Sequence, residues 1–396
     1  MRFFALILLV HLTSLADASA QFKWRETPIE GRIYVPISDV AAFYGYRLLS
    51  SPGGFNLTMS VKHPPIIGRA GASDVKINGV KFVLCFPTVS HGGQVFISKM
   101  DVIFIIEPVL RSFNIKNPTV VKTVILDAGH GGHDHGATGN GLREKDMNLD
   151  VVYRAGRMLQ ARGFNVYVTR KDDTFIPLEK RTALANRTPN AVFISVHFND
   201  SKNIEASGIE TFVLAPRGVP SMGRDELGVI DDRVHPGHAR NAENILLAAS
   251  VHSAMVARSQ IPDRGIKRAR FHVLRNSRIP AILIEGGFMR NPRDGRLIAD
   301  ANYRQQLATA IVAGVERFRA SVARPGQYVP SPAQSSIPQT TASAVSASPS
   351  VSTRPGDAQP AVQAHAEKQD DDKRAVDEAM QRLQNSQTPQ KSKTQR

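Results

Sequence analysis

From Lys122 to about Arg319 the sequence alternates between short apolar runs and longer stretches with helical periodicity. Runs such as KTVILDA and AVFISVH are short and continuously apolar, which predicts strands that are buried on both faces. Strands that alternate with helices form mainly parallel sheets covered by those helices. The predicted fold class is therefore α/β, with a mostly parallel central sheet flanked by helices. The other predicted strands are FNVYVTR, GIETFVLA, FHVLR and PAILIEGG.

The first twenty residues have the pattern of a secretory signal peptide. Arg2 is followed by an apolar stretch from Phe3 to about Leu15 and then by the small residues Ala18-Ser19-Ala20. The apolar stretch is too short to span a bilayer. We therefore expect a signal peptide over residues 1–20 and an exported protein that acts in the periplasm, or in the cell wall outside the cell.

Residues 21–118 predict a small β-rich α+β module that precedes the α/β domain. Two segments, IYVPISDVAAFYGYRLL and VFISKMDVIFIIEPVLR, each place a strand-like alternation before a helical stretch. Between them, Asn78-Gly79 separates two alternating runs, which is a strong signal for a β-hairpin. The pattern resembles the N-terminal stalk-like module of copper amine oxidases, without implying copper. We interpret this module as a targeting unit that contacts either an envelope regulator or an anionic wall or membrane surface.

The α/β domain is predicted over residues 119–320, and a disordered tail over 321–396. The tail begins with a stretch rich in Pro, Ser, Ala, Gln and Thr, and only residues 368–384 could form a short helix. The net charge is +15. For an exported protein this favours an anionic wall polymer or membrane surface over nucleic acid, although a basic surface that only aids solubility is an equal alternative.

Polar side chains follow three predicted strands where each of them ends. His130 follows VILDAG, His197 follows VFISV, and Glu285 follows AILI, while Glu144 begins the helix after the first strand. Ligands of open α/β sheets bind beyond the carboxyl ends of the strands, so these four groups should converge.

The chemistry of the four groups fits hydrolytic zinc. The chain has one cysteine, Cys85, so a metal site must be built from His and carboxylate ligands. His130, Glu144 and His197 form a set of three N/O ligands, which leaves a position open for water. Glu285 can act as the general acid/base that takes a proton from that water.

Three segments resemble the signatures of zinc-dependent N-acetylmuramoyl-L-alanine amidases. They are LDAGHGGHDHGATGNGLREKD, SVHFND and LIEGGFMRN, and the resemblance covers about residues 121–320. It implies Zn²⁺ bound by His130, Glu144 and His197, Glu285 as the catalytic residue, and peptidoglycan as the substrate. The reaction implied is hydrolysis of the amide between N-acetylmuramic acid and L-alanine.

The sequence departs from the family pattern at three positions. His135 stands where Pro is common, Phe198 where a small residue is usual, and Gly286 where Thr often occurs. None of them removes an expected ligand. Phe198 and Gly286 are expected to alter the wall of the pocket.

Several other residues have two open interpretations. Asp127 either accepts a hydrogen bond from His130 or caps a turn, and Arg181 either contacts the substrate or forms a structural ion pair. Asn199 is a polar candidate at the rim of the site. The residues His133 and His135 are interpreted as loop or substrate-side residues, and His252 as a residue on a helix surface.

Two other functions remain open at this point. One is a catalytically inactive peptidoglycan-binding protein, and the other is a different zinc peptidase that acts on stem peptides. Residues 216–240 form a longer connection than the usual 4–6 residues or so. They either gate the site or form an ordinary surface loop.

Overall fold

The computed structural model describes residues 22–51, 53–58, 64–222 and 229–323, and the structural statements below concern these residues. The predicted signal peptide (1–20) and the predicted short helix (368–384) lie outside them. The last described helix continues to Ala323, past the domain boundary predicted at residue 320. None of the described helices is long and apolar enough to cross a membrane.

Short strands dominate the N-terminal region, as its alternating sequence predicts. Its strands are β1 (Thr27–Ile29), β2 (Arg32–Pro36), β3 (Arg47–Ser51), β4 (Gly54–Thr58), β5 (Ile66–Arg69), β6 (Asp74–Ile77), β7 (Val80–Val83), β8 (Val89–His91) and β9 (Gln94–Ser98). Its helices are α1 (Ile37–Tyr44), α2 (Lys99–Asp101) and α3 (Glu107–Leu110), with a π-helical stretch, Val102–Ile106, between the last two. The predicted hairpin is confirmed, because Asn78 and Gly79 have φ angles of 53° and 78° and connect β6 to β7.

The C-terminal region contains the elements that carry the predicted site. Its strands are β10 (Thr123–Ala128), β11 (Thr138–Gly139), β12 (Leu142–Arg143), β13 (Asn165–Val168), β14 (Ala191–Asn199), β15 (Ile209–Leu214), β16 (Asp263–Ala269) and β17 (Ala281–Phe288). Its helices are α4 (Glu144–Ala161), α5 (Leu178–Asn186), α6 (Asn241–Val256), α7 (His272–Arg275), α8 (Pro292–Ala299) and α9 (Ala301–Ala323).

One large mixed sheet runs through both regions. Its strand order is β13-β10-β14-β17-β15-β16-β7-β6-β5-β4-β3. β10 is parallel to β13 and β14, and β14 is parallel to β17. β15 is antiparallel to β17 but parallel to β16, which in turn pairs with β7 of the N-terminal region. The predicted α/β class with a mostly parallel core is confirmed for the C-terminal region, and β7 to β3 extend it with antiparallel strands.

Helices cover both faces of the C-terminal part of the sheet. Helices α4, α6 and α9 pack on one face, and the short helices α5 and α7 pack on the other. The larger apolar core also includes N-terminal residues such as Leu57, Phe82 and Ile105. The apolar core is therefore continuous across the junction between β7 and β16.

One predicted strand is wrong, and one observed strand is absent from the prediction. FHVLR forms the helix α7 at His272–Arg275, whereas the strand next to β15 is β16, with the sequence DRGIKRA. The charges of β16 hide its strand character in the sequence. In the structure two of these cations pair with buried carboxylates, Lys267 with Glu210 and Arg268 with Asp101.

Candidate metal centre

The four predicted site residues come together at the edge of the sheet where β10, β14 and β17 end, which we call the carboxyl edge. His130 lies in the loop after β10, and Glu144 is the first residue of α4. His197 on β14 is the direct cross-strand partner of Glu285 on β17. The parallel direction of these strands brings residues that are distant in sequence to one edge.

Three of these residues form a compact cluster of candidate ligand atoms. His130 Nε2 lies 3.2 Å from Glu144 Oε2, and His197 Nδ1 lies 2.9 Å from Glu144 Oε1. The candidate ligand atoms of the three residues all lie within 4.8 Å of one another. Ligands bound at ~2.0–2.1 Å by a tetrahedral zinc ion lie about 3.3 Å apart, so the observed spacing fits such an ion.

Glycines allow the loop to pass close to these ligand atoms. A Cβ atom at Gly129 would lie 2.2 Å from the ring of His197, and one at Gly136 would lie 2.5 Å from Glu144 Oε2. Gly136 also has a φ angle of +66°, which side chains rarely adopt. The glycine-rich sequence of the loop is therefore a requirement of the site, because side chains at these positions would collide with the imidazole and the carboxylate.

Asp134, which the sequence reasoning missed, is the hydrogen-bond partner of His130. Its Oδ2 lies 2.8 Å from His130 Nδ1, so Nε2 is the nitrogen that faces Glu144. Carboxylates in this position fix the tautomer and the orientation of a metal-binding imidazole. The signal in the sequence was the i, i+4 spacing of the two residues in the loop.

Asp127 does not occupy that position. It is buried and accepts hydrogen bonds from Thr169, Arg181 and Ser195, at 2.6, 2.7 and 2.7 Å. Arg181 is buried as well, and it donates to the carbonyl oxygens of Ala128 and His130 at 2.8 Å. For Arg181, the structural ion pair is the interpretation that the structure shows. Its hydrogen bond to the carbonyl oxygen of His130 also fixes the main chain at that residue.

Glu285 differs from the other carboxylates of the site because one of its oxygens is left without a partner. Its Oε2 is buried and makes no hydrogen bond to the described residues. Burial and then the negative charges of Glu144 and Glu210 raise the pKa of Glu285 well above its usual value, and Lys267 opposes this effect. A carboxyl with a raised pKa binds a proton more readily than an ordinary glutamate does, as a general acid/base requires.

The cluster holds Glu144 in its ionised form. Burial alone would raise the pKa of Glu144, but hydrogen bonds from His130 and His197 lower it far below the usual range. In return, Glu144 and Asp134 raise the pKa of His130 against the opposing effect of burial. The main-chain amides of Ala137 and Phe198 also donate to Glu144, at 2.7 and 3.2 Å. The carboxylate is thus oriented in advance for a cation.

Asn199 lies at the carboxyl edge, where it contacts a second residue that the sequence reasoning missed. Its side-chain amide donates to Glu210 Oε2 at 3.0 Å. Glu210 is buried on β15 and is the direct cross-strand partner of Glu285. A glutamate inside the apolar run GIETFVLA was the available signal, because a buried charge in a strand needs a specific reason.

Phe198 and Gly286 do not form the wall of the pocket, so that prediction is wrong. Phe198 is 1% exposed and lies in the large core beneath α4 and α9. A Cβ atom at position 286 would lie 2.6 Å from the Phe198 ring. The large residue and the glycine compensate each other inside the core, on the face of the sheet opposite to His197.

The connection 216–240 begins at the edge of the sheet opposite to the site, which argues against a direct gating role. Because β15 is antiparallel to β17, its first residue lies at the carboxyl edge and its last residue, Leu214, at the opposite edge. The described part of the connection packs there: His238 hydrogen-bonds to Ala215 O at 3.0 Å, and Arg240 to Arg278 O at 3.2 Å. Residues 223–228 lie outside the described residues.

The remaining predicted histidines lie apart from the cluster. His133 and His135 are exposed, and His133 packs against Phe175 with a ring-centre distance of 4.3 Å. His252 is buried, so its assignment to a helix surface is wrong. Its ring binds Thr211 Oγ1 at 2.8 Å and Asp263 Oδ1 at 2.9 Å, and it therefore connects α6 to β15 and β16.

The C-terminal region is similar in sequence to known proteins. A family model described as N-acetylmuramoyl-L-alanine amidase matches residues 124–317. The uncharacterized protein YqiI of Bacillus subtilis is 37% identical over 201 residues, which cover 51% of this chain and 86% of YqiI. The N-acetylmuramoyl-L-alanine amidase AmiA of Escherichia coli is 30% identical over 216 residues, covering 49% of this chain and 75% of AmiA.

A solved structure is similar as well. The N-acetylmuramoyl-L-alanine amidase from Clostridium difficile 630 has 35% sequence identity and a TM-score of 0.42, and the match covers 51% of this chain and 98% of that one. The family model begins at residue 124, so the N-terminal region lies outside its match.

Proposed function

Because the chain belongs to the N-acetylmuramoyl-L-alanine amidase family, we propose that it uses a zinc ion to hydrolyse the amide between N-acetylmuramic acid and L-alanine in peptidoglycan. The ligands are His130, Glu144 and His197. Their two imidazoles and one ionised carboxylate are donors that zinc accepts, and the observed spacing of their ligand atoms fits a tetrahedral ion. When bound, zinc supplies Lewis-acid activation of water and of the scissile carbonyl group.

Glu285 carries the proton in this proposal. It removes a proton from the attacking water, whose oxygen forms the new bond to the lactyl carbonyl carbon. When the C–N bond breaks, Glu285 returns the proton to the nitrogen of L-alanine. The products are a lactyl carboxylate on the sugar and a free stem peptide. The supporting observation is the buried, unpartnered Oε2 of Glu285 on the strand directly beside His197.

Asp134 and Arg181 position the site without touching the reacting atoms. Asp134 holds Nδ1 of His130, which directs Nε2 of the same ring towards Glu144. Arg181 ties the backbone of His130 to the buried Asp127. Both contacts limit how far the ligand loop can move.

Digestion of purified murein tests the reaction. The mature protein should release free stem peptides, identified by mass spectrometry, and a chelator should abolish the release until zinc is restored. Binding to murein without peptide release would favour the inactive binding protein, and cleavage within the stem peptide would favour another zinc peptidase.

Two histidine variants test the ligand set, one at His197 on β14 and one at His133 in the loop after β10. His197→Ala should lose bound zinc, measured by elemental analysis after dialysis, whereas His133→Ala should keep it. His133 is the matched control because it is an exposed histidine next to the site that lies outside the cluster. Full zinc occupancy in His197→Ala would remove that residue from the ligand set.

Export and targeting complete the proposal. The signal peptide over residues 1–20 directs the chain to the periplasm or the cell wall, and residues 21–118 restrict where it acts by contacting an anionic envelope surface. This region contains 11 Lys and Arg against 6 Asp and Glu. The test uses the full mature chain with exposed lysines and arginines of the region, such as Lys23, Arg47 and Lys76, replaced by Glu. Co-sedimentation with murein and with anionic vesicles should weaken; unchanged binding to both would reject the targeting role.

A further inference from the structure

A buried carboxylate next to the proposed catalytic residue is held by two cations. Glu210 is 3% exposed and lies directly opposite Glu285 on the neighbouring strand. The side chains of Arg264 and Lys267, both on β16, donate to the same oxygen of Glu210, and the Lys267 contact is 2.6 Å long. Asn199 donates to the other oxygen at 3.0 Å. Both oxygens of Glu210 therefore accept hydrogen bonds from fixed side chains.

The charges of this group do not balance. Among the described residues, Glu210 is the one carboxylate that either cation contacts, so within this group two cations share a single negative charge. The nearest acidic neighbour along β16, Asp263, is already bound to His252 and to the main-chain amides of Lys81 and Gly265. Partly buried cations next to a substrate-binding surface favour a negatively charged ligand, because their attraction to it is only weakly screened by solvent.

Arg264 is accessible to such a ligand. Its side chain is 38% exposed, and its guanidinium lies over the ring of Phe288 at 5.0 Å from the ring centre. Only Nε of Arg264 bonds to Glu210, and no hydrogen bond connects its terminal Nη atoms to any of the described residues. Those Nη atoms form the free side of a fork that matches a carboxylate.

Two aromatic rings lie next to Lys267, one of them buried and the other exposed. Lys267 lies 6.0 Å from the centre of the Phe212 ring, and Phe212 packs against Phe271 at 5.2 Å. Phe271 is 40% exposed. Lys267 therefore borders a pair of aromatic rings, of which Phe271 is exposed, and this pair together with the cations suits a ligand with both apolar and acidic groups.

The distance from the site matches the reach of a short peptide. Cross-strand partners have Cβ atoms about 5 Å apart, and strands lie about 4.8 Å apart, so β16 side chains are about 10 Å from Glu285. An extended peptide advances about 3.3–3.6 Å per residue. A peptide whose first amide is cleaved beside Glu285 would thus place its second to third residue at the cations.

We propose that Arg264 and Lys267 bind a carboxylate of the stem peptide, on the amine side of the scissile amide, an inference that rests on the proposed function. The sugar side carries no such group, because the N-acetyl sugars are neutral and the lactyl carboxyl is used in the amide. Glu210 and Asn199 are positioning residues that hold the two cations towards the peptide. The surface over β15 and β16 is therefore the peptide side of the site.

Two forms of one substrate test the proposal. Purified murein is used either unmodified or with its carboxyl groups converted to carboxamides, and peptide release is followed against murein concentration. Arg264→Gln and Lys267→Gln should each raise the apparent KM for unmodified murein about tenfold, the effect of losing roughly 1.4 kcal/mol from a charged hydrogen bond. With amidated murein the variants and the unaltered protein should have similar KM values. On either substrate, the kcat of each variant should differ from that of the unaltered protein by less than about twofold.

Arg290→Gln is the matched control. Arg290 is an exposed arginine at the same edge, 47% exposed in its side chain, and it pairs with Asp200 rather than with Glu210. This variant removes the same charge and should leave the preference for unmodified murein intact.

Equal losses on both forms of murein would overturn the subsite, since they would mean that the cations only stabilise Glu210 and the strands around it. The subsite would also be rejected if the unaltered protein cleaved both forms with the same KM. Failure of the unaltered protein to release any peptide from murein is a different result, because it contradicts the proposed function itself. If Lys267→Gln does not fold, Arg264→Gln alone decides between these outcomes. Arg264 is the more exposed of the two residues, so its replacement disturbs the fold less.

Discussion

Buried carboxylates in the two regions that share the large sheet differ in how completely they are hydrogen-bonded. In the N-terminal region, Glu107 accepts hydrogen bonds from Tyr44, Arg111 and Asn114. Asp101 accepts from the main-chain amides of Cys85 and Phe86 and lies 3.5 Å from Arg268. Each of these two acids is surrounded by donors, as is usual for charges inside proteins.

At the carboxyl edge, the buried carboxylates do not all have hydrogen-bond partners for both oxygens. Glu144 and Glu210 are surrounded by donors, but Glu285 between them has a buried oxygen without a partner. Leaving such an oxygen unsatisfied costs about 1–3 kcal/mol. The comparison indicates that the donors around Glu107 stabilise the fold, whereas the unsatisfied oxygen of Glu285 costs stability, as we expect for a group that we propose transfers a proton.

Glu285→Gln gives the largest expected effect on this comparison. Turnover on murein should fall by about 10²–10⁴-fold, because the amide side chain cannot take or return a proton. Zinc content should remain, and the free energy of unfolding of the metal-free protein should stay equal or rise, since the buried carboxyl is replaced by a neutral group. Elemental analysis and urea unfolding measure these two quantities.

Glu107→Gln is the counterpart in the N-terminal region. Breaking a buried pair by removing one partner typically costs about 3–5 kcal/mol, so this variant should lose stability. Its turnover per folded molecule should stay near that of the unaltered protein. If Glu285→Gln were the destabilised variant and kept its turnover, the distinction between the two regions would be wrong.

Asp134→Asn should have the next largest effect, on metal affinity. Outer partners of metal-binding histidines typically contribute 10–100-fold to affinity, so competition with a chelator should show zinc binding weakened by about that factor. Asp127→Asn is the control, because Asp127 holds Arg181 instead of an imidazole. It should lower the free energy of unfolding of the metal-free protein more than Asp134→Asn does; the reverse order would exchange the two roles.

The pH dependence of Asp101 provides a test at the junction of the regions. Burial raises its pKa to about 6 against the opposing charge of Arg268, compared with about 3.9 for an unfolded chain. A raised pKa in the folded state means that the contribution to stability is present below about pH 4 and is lost as the pH rises through about 6. Relative to Asp101→Asn, the unaltered protein should therefore lose roughly 3 kcal/mol across that range in urea unfolding.

Asp150→Asn should show the opposite slope. Hydrogen bonds from Arg154 and Arg304 outweigh burial and lower the pKa of Asp150. The unaltered protein should therefore lose stability relative to this variant as the pH falls below about 4. Identical slopes for the two variants would mean that burial does not distinguish Asp101.

The smallest effect is expected at the surface of the N-terminal region. Arg25 pairs with Asp39, but its side chain is 60% exposed. Arg25→Ala should lower the free energy of unfolding by about 0.2–1 kcal/mol, because exposed ion pairs contribute little. A decrease in the free energy of unfolding of more than roughly 2 kcal/mol would show that this pair behaves as a buried ion pair and not as an exposed one.

The sequence by itself determined the parts of this protein that depend on local rules. Strand and helix periodicity identified most elements of the α/β domain, and the hairpin at Asn78-Gly79 follows from positive φ angles that few residues adopt. The convergence of His130, Glu144, His197 and Glu285 followed from one general property, that parallel strands end at a common edge.

Tertiary structure decided what depends on strand order and on the face of each strand. The insertion of β15 in the opposite direction between β17 and β16 places Glu210 beside Glu285 and the connection 216–240 at the far edge. The pairing of β16 with β7 joins the N-terminal region to the same sheet, and the face of β14 buries Phe198 in the core. These features arise from contacts between residues far apart in the chain, and a one-residue change of register would exchange the faces, so no local pattern specifies them.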